Sequence, residues 1–295
     1  MIDQAPSLPR ELDEVVVARR PLRHFSNLAG WIGVALLAIL SALAVWPGAF
    51  APYDPSKPIG KPLEPPSDRF ALGTNDIGQD LFSELIWGTR NTLVTGLAVG
   101  CLAVAIGVTA GLVSGYTSGA LQVLVMGAAD LMLALPFLPL VILLAAYLEP
   151  GQANVVLVLV LVSWAGPARL IRSQTLTLLN EPYIEAAQAL GCSRRRVLWA
   201  HIWPGVRSIA LAQLVLVASA AILAEASLSF LGLGNPSAKS WGTMLYFARA
   251  SGAFLGEAWQ WWVLPAGLMI TLTVLSLVLI GFAIEQRFEP AVGGR

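Results

Sequence analysis

The chain has 295 residues, 56% of them hydrophobic and 12% charged, and its 18 basic and 18 acidic side chains leave no formal net charge. About a quarter of the residues in a soluble domain are charged. A mean hydropathy of +0.71 therefore places this chain in a bilayer rather than among soluble domains, and the neutral balance gives no ground for a nucleic-acid partner.

Residues 1–28 form a polar tail, with Arg10, Arg19, Arg20 and Arg23 ahead of the first apolar run and a short helix expected along ELDEVVVARR. So long a charged stretch speaks against a cleaved signal peptide, and the apolar run is expected to stay as an anchor. Residues 29–46 are apolar and close at Pro47. About 20 such residues cross the hydrocarbon as a helix, so residues 29–50 hold the first transmembrane helix. Residues 51–90 form an extracytoplasmic segment. Its first half is too rich in proline to be a helix interior. In its second half Leu81, Leu85 and Ile86 recur at helical spacing, which predicts a short amphipathic helix feeding the next span.

Residues 91–285 make the core. The second span, 93–113, carries Gly96 and Gly100, then Gly107 and Gly111, with Gly115 just past its end, small-residue faces that allow helices to approach closely in lipid. After the SGYTSG turn the third span, 121–148, contains Pro136 and Pro139, expected to kink it and free backbone carbonyls within the membrane. The fourth, 153–171, is expected to end at Arg169 and Arg172. Residues 181–205 interrupt the apolar pattern. The fifth span, 209–230, leads into a polar and aromatic connection, 231–262, where Trp259, Trp261 and Trp262 suit the headgroup layer. The last span, 263–284, precedes a tail at 286–295. The fold class is all-α membrane protein with about six transmembrane helices; no β-barrel alternation appears.

With the N-terminus in the cytoplasm, twelve of the 18 basic residues lie inside and six outside, the direction of the positive-inside rule. Both tails and residues 181–205 are then cytoplasmic.

The catalytic inventory is sparse. His24 and His201 are the two histidines, and Cys101 and Cys192 stand apart with no CxxC neighbour, so they read as free thiols. HExxH, GxSxG and a phosphate-cradling GxxxxGK[ST] loop are all missing. The expectation is a chain with no catalytic residue, metal or cofactor of its own, energised by another chain or by an ion gradient. Asp130 and Glu225 lie inside apolar runs. Such groups are functional candidates by default, but their different depths favour interhelical hydrogen bonding over a shared proton site; a pathway or gate role is the alternative.

Residues 181–205 read as a docking element. Pro182 suits a first helical turn, Ala186, Ala187 and Ala189 leave a slim surface, and Gly191 permits a sharp change of direction. Arg194, Arg195 and Arg196 open a second helix that His201 and Pro204 are expected to close. A slim helix of this kind fits a groove on another protein.

Glu185-Ala186-Ala187, Gly191, His201 and Pro204 resemble the EAA loop of the membrane-spanning permeases of ABC importers. The block LGTNDIGQDLFSELIWGTRNTL and the block EASLSFLGLGNPSAKSWGTML are similar to the corresponding blocks of dipeptide, oligopeptide and nickel permeases, and Asp130 fits a recurring aspartate in their third span. The likeness covers residues 29–284 and matches the second of the two permease chains such importers use. Asn75 and Gln79 depart from it, standing where the family has aspartate and arginine, as do Trp203 and Gly205 around Pro204 and the ending GFAIEQRFEP. The resemblance implies a type I importer permease fold and a coupling helix in residues 181–205 that docks on an ATPase. It further implies as partners a homologous permease chain, two ATPase subunits or domains that bind ATP and magnesium, and an extracytoplasmic solute-binding protein, all at a bacterial inner membrane. Peptide is the expected cargo and nickel or another small solute the alternative. An ion-coupled carrier using Asp130 and Glu225 is a further alternative.

Overall fold

The computed structural model describes the backbone of residues 20–288 and the side chains of residues 28–286. The expected helix along ELDEVVVARR and most of the C-terminal tail lie outside the described residues.

Helix α1, Arg20–Val45, is followed by a single turn, α2, Pro47–Phe50. Residues 51–80 run without helix, as their prolines require, up to an isolated bridge between Thr74 and Asp80. Asp80 then caps helix α3, Leu81–Tyr116, its carboxylate accepting from the Ser83 amide. The short amphipathic helix expected near residue 81 is the first part of α3, with no break before the span. Most of its polar positions are turned inward: Ser83, Glu84, Thr89 and Thr92 are as buried as Leu81 and Leu85, while Arg90 is exposed. Thirty-six residues reach about 54 Å, well beyond a hydrocarbon core of about 30 Å.

Helices α4, Ala120–Ala134, and α5, Phe137–Tyr147, replace the kinked third span. They meet at 98°, a break rather than a kink. Pro136 forces Leu135 into an extended conformation, φ −85° and ψ 140°, because the residue before a proline is excluded from the helical region. Pro139 falls in the first turn of α5, where a missing N–H costs nothing.

Helices α6, Gln152–Ser163, and α7, Ala165–Leu179, form one crossing of 28 residues. The helix itself does not end at Arg169 and Arg172 but continues two turns past Arg172. Helix α8, Pro182–Ala189, and α9, Arg194–Val197, lead through a π-turn, Leu198–Ile202, into α10, Trp203–Phe230. His201 and Pro204 close nothing: the rod from Arg194 to Phe230 is continuous. Within the connection after it lies helix α11, Trp241–Ala250, which its polar and aromatic composition had concealed, and α12, Val263–Phe288, completes the chain. Among the described residues five helices, or six crossings with the bent α4–α5 pair, are long and apolar enough to span a membrane.

The glycines of α3 sort its neighbours. A Cβ at Gly100 would lie 2.9 Å from the Leu214 carbonyl oxygen of α10, one at Gly107 2.7 Å from Pro167 Cβ, and one at Gly111 2.7 Å from the Ala168 carbonyl oxygen of α7. The small-residue faces thus serve close packing on two sides of one helix. Helix α1 lies against α12 in the same manner: a Cβ at Gly33 would lie 2.7 Å from the Ser276 carbonyl oxygen. Trp262, expected in the headgroup layer, is buried in a cluster with Trp241, Leu81, Leu85 and Met244, while Trp259 is exposed.

Candidate functional site

Residues 181–205 fold as two helical pieces around a left-handed turn. Pro182 opens α8 at its first position and Glu185 lies in its first turn. The helix ends in a Schellman motif: the Cys192 amide donates to the Ala187 carbonyl at 3.1 Å and the Gly191 amide to the Gln188 carbonyl at 2.9 Å. That closure requires φ +84° at Gly191, a conformation open to glycine at little cost. Ser193 caps α9, its hydroxyl accepting from the Arg196 amide.

Helix α8 has one fully buried side chain. Ile184 is fully buried among Ile171, Val197, Ile202 and Val206, while Glu185 and Ala186 are exposed and Ala187 half-buried. Leu190 at its end is 87% exposed, an unusual state for a leucine beside an otherwise polar turn. His201 is half-buried and meets Tyr183 of α8 edge-on, ring centres 6.1 Å apart. Pro204 follows the π-turn, in which the Trp203 amide donates to the Leu198 carbonyl five residues back. In a regular helix the proline ring would strike the carbonyl of Ala200; the wider turn accommodates it. The six residues singled out from the sequence thus occupy one end of the bundle, with α8 as its outermost feature and His201 and Pro204 on the rod behind it.

The two intramembrane carboxylates have separate partners. Asp130 of α4 is exposed and accepts from Arg169 Nη2 of α7 at 2.9 Å. Glu225 near the end of α10 is buried, and its Oε1 accepts from the Ser229 and Ser240 hydroxyls at 2.8 and 2.9 Å. Its Oε2 has no hydrogen-bond partner; the residue lines a small cavity with Asn91, Thr95, Gln152 and Asn235.

A third cluster was not singled out in advance. At the end of the bundle opposite α8, Glu84 accepts from Lys239 Nζ at 3.0 Å, and the same ammonium donates to Gln79 Oε1 at 2.8 Å. Asn75 Nδ2 donates to Gln79 at 3.0 Å and to Glu84 at 3.3 Å. The network ties residues 75–79 to α3 and to the connection before α11. A lone glutamate in the apolar sequence LFSELIWG, and a lone lysine in the connection, were its only sequence signals. No group of three or more metal-ligating side chains occurs among the described residues.

Apolar crossings packed through glycine, polar groups confined to a few interhelical contacts, and a slender solvent-facing helix at one end define a membrane-embedded transport subunit. The sequence matches the family of binding-protein-dependent transport system inner membrane components over residues 107–294, and the chain belongs to that family. It is a multi-pass inner-membrane permease, the non-catalytic part of systems that work with a binding protein and an ATPase. It is 35% identical over 294 residues to the di/tripeptide transport system permease protein DppC of Pseudomonas aeruginosa, covering 94% of this chain and 95% of that protein. It is 33% identical over 273 residues to the oligopeptide permease OppC of Bacillus subtilis, 91% and 88% covered. With the glutathione permease GsiD of Pectobacterium atrosepticum it shares 34% over 275 residues, 92% and 89% covered.

Proposed function

We propose that this chain is a peptide-importer permease whose helix α8 couples an ATPase to the bundle. The observation that carries this reading is the state of α8: seated by the buried Ile184 and the Tyr183–His201 contact, with Glu185, Ala186 and Leu190 turned to solvent. A short helix so presented fits a groove on a partner. The names of the relatives support peptides as cargo: di- or tripeptides for one, oligopeptides for another, and glutathione, itself a peptide, for a third.

In this reading α8 and both chain ends are cytoplasmic and the Lys239–Glu84 network is extracytoplasmic. A homologous permease completes the pathway, two ATPase subunits or domains bind ATP and magnesium, and an external binding protein delivers the peptide. No cofactor, metal or catalytic residue is assigned to this chain. ATP favours the closed ATPase pair, and only a ligand with unequal affinity for two states can drive their exchange. Motion of α8 reaches α7 and α10 through the cluster around Ile184, because Ile171 and Val206 belong to those helices.

The test is co-purification of the ATPase subunits with the permease and ATP-dependent dipeptide uptake in proteoliposomes. Glu185→Arg and Leu190→Asp should abolish both while leaving the permease folded in the membrane. Uptake and ATPase capture at wild-type levels in both variants would overturn coupling through α8.

A further inference from the structure

Glu225 brings a carboxyl group into the interior with only one of its oxygens satisfied. The residue is 6% exposed. Oε1 accepts from the Ser229 and Ser240 hydroxyls, yet no protein donor reaches the buried Oε2. Among the described residues no lysine or arginine pairs with Glu225: Lys239, next to Ser240, turns its ammonium to Gln79 and Glu84 instead. The amino end of α11, which Ser240 caps, lies on the Oε1 side and supplies about half a unit of positive charge. Half a charge does not balance a carboxylate, and an unbalanced ion in the interior is strongly disfavoured.

Beside Glu225 lies a space of about 10 Å³, room for a single body the size of a water molecule or smaller. Its walls are rich in oxygen. On α3, Asn91 donates its side-chain amide to the Lys239 carbonyl at 2.6 Å, and at the start of α6 Gln152 donates its own to Thr95 Oγ1 at 2.9 Å. With the nitrogens so engaged, both amides keep a carbonyl oxygen that accepts from no donor among the described residues. Asn235, in the irregular connection after α10, adds a third amide to the lining. Carboxylate, amide and hydroxyl oxygens without sulfur or imidazole suit alkali and alkaline-earth ions. A calcium ion takes about six to eight oxygens, and its second charge would find no second carboxylate here. Potassium is about as large as water and would fill the space completely; sodium is smaller. Bundles hold such ions where a helix ends at its carboxyl side and the chain turns irregular, and Glu225 lies in the last two turns of α10.

We propose that this cavity is a sodium site, in which one ion bound to Glu225 Oε2 and the surrounding amide and hydroxyl oxygens fastens α3, α6 and α10 to the connection leading into α11. The ligands are mostly neutral oxygens, so no cluster of three acidic, histidine or cysteine side chains marks the site. Asn91 joins it to the backbone of Lys239, and through that residue to Glu84 and Gln79. The site is independent of α8 and of the cargo.

The experiment uses the importer with its co-assembled subunits, purified in detergent without sodium. Replacing choline chloride with sodium chloride at constant ionic strength should raise the thermal midpoint by about 5 °C once sodium reaches roughly a hundred times its Kd, and potassium should raise it less. Glu225→Gln should lose this rise and bind one labelled sodium ion fewer than wild type, while being at least as stable as sodium-free wild type because it buries no charge. Thr95→Val keeps the carboxylate and the assembly, and should need about tenfold more sodium for the same midpoint, the scale of one lost polar contact. A wild type indifferent to sodium overturns the site. So does a midpoint that rises only on acidification until it matches Glu225→Gln, which would mean that a proton balances the carboxylate. Equal stabilisation by potassium, or a sodium response unchanged in both variants, overturns it as well.

Discussion

Lys239 and Glu84, 155 positions apart in the chain, meet as an ion pair at 3.0 Å in which the carboxylate is 1% exposed and the ammonium side chain 21%. Removing one partner of such a pair strands a buried charge at a cost of about 3–5 kcal/mol, whereas replacing both with apolar groups is often near neutral. Lys239→Met should therefore lower the thermal midpoint of the detergent-solubilised protein far more than the double variant Glu84→Leu/Lys239→Met. Trp241, whose indole donates to the Leu85 carbonyl one residue from Glu84, gives a fluorescence signal for the transition. A double variant as unstable as the single one would show that Gln79 and Asn75, not charge balance, dominate the site.

Helix packing supplies a second ordering. At Gly111 a methyl group would press on the Ala168 carbonyl at 2.7 Å, while at Gly267 of α12 it would meet nothing within 4 Å. Overpacking costs about 1–3 kcal/mol, and alanine at an unobstructed helix position gains up to about 1 kcal/mol over glycine. Gly111→Ala should lower the thermal midpoint and Gly267→Ala should hold or raise it. A neutral Gly111→Ala would mean that α3 and α7 can separate freely at that level.

The order of crossings was legible in the sequence because apolar length and glycine spacing are local signals. What escaped it depended on distant partners. Arg169 looks like a helix terminator until α4 brings Asp130 to it. Asn75 and Gln79 look like departures from the family's acid and base. The structure shows an amide pair bonded to each other beside Glu84 and Lys239, and the exchange of aspartate and arginine for two amides leaves the local charge unchanged. Pro136 marked an interruption correctly, but its 98° bend depends on how α5 packs on α6. Helix α11 was hidden because its buried face, Trp241, Met244 and Ala248, is completed by residues from α3 and α12. Around α8, motif residues and turn glycine were readable, while the anchoring role of Ile184 was not, since an isoleucine between Tyr183 and Glu185 carries no signal of its own.

Gly191 offers a test of the turn rather than of the docking surface. Its φ of +84° costs glycine little, and a Cβ there meets nothing within 4 Å, so substitution acts through the backbone alone. An L-residue held in that region costs about 1–2 kcal/mol. Gly191→Ala should loosen α8 without clashing. Hydrogen exchange at the Gly191 and Cys192 amides should accelerate while the bundle stays protected, and uptake should fall partway. Gly191→Asn, which tolerates the same conformation better, should recover most of the loss. Equal defects in both would point to a contact made by residue 191 itself.

Pro204 and the π-turn before it make the last prediction. The Trp203 amide reaches back to Leu198 because Pro204, with no N–H and a bulky ring, prevents a regular turn there. Such turns place one extra residue in a helix and often mark functional sites. Pro204→Ala removes the obstruction, so the rod from Arg194 to Phe230 gains the option of regular α geometry. Side chains before residue 198 would then rotate by roughly 100°, one residue's share of a turn. Val197, now buried beside Ile184, would leave its place and α8 would lose its seat. The variant should be at least as thermally stable as wild type yet show reduced peptide uptake per ATP hydrolysed, a pairing that ordinary destabilisation does not produce. Stability and uptake that fall together, or uptake that does not change, would show that the π-turn merely accommodates the proline and does nothing for the seating of α8.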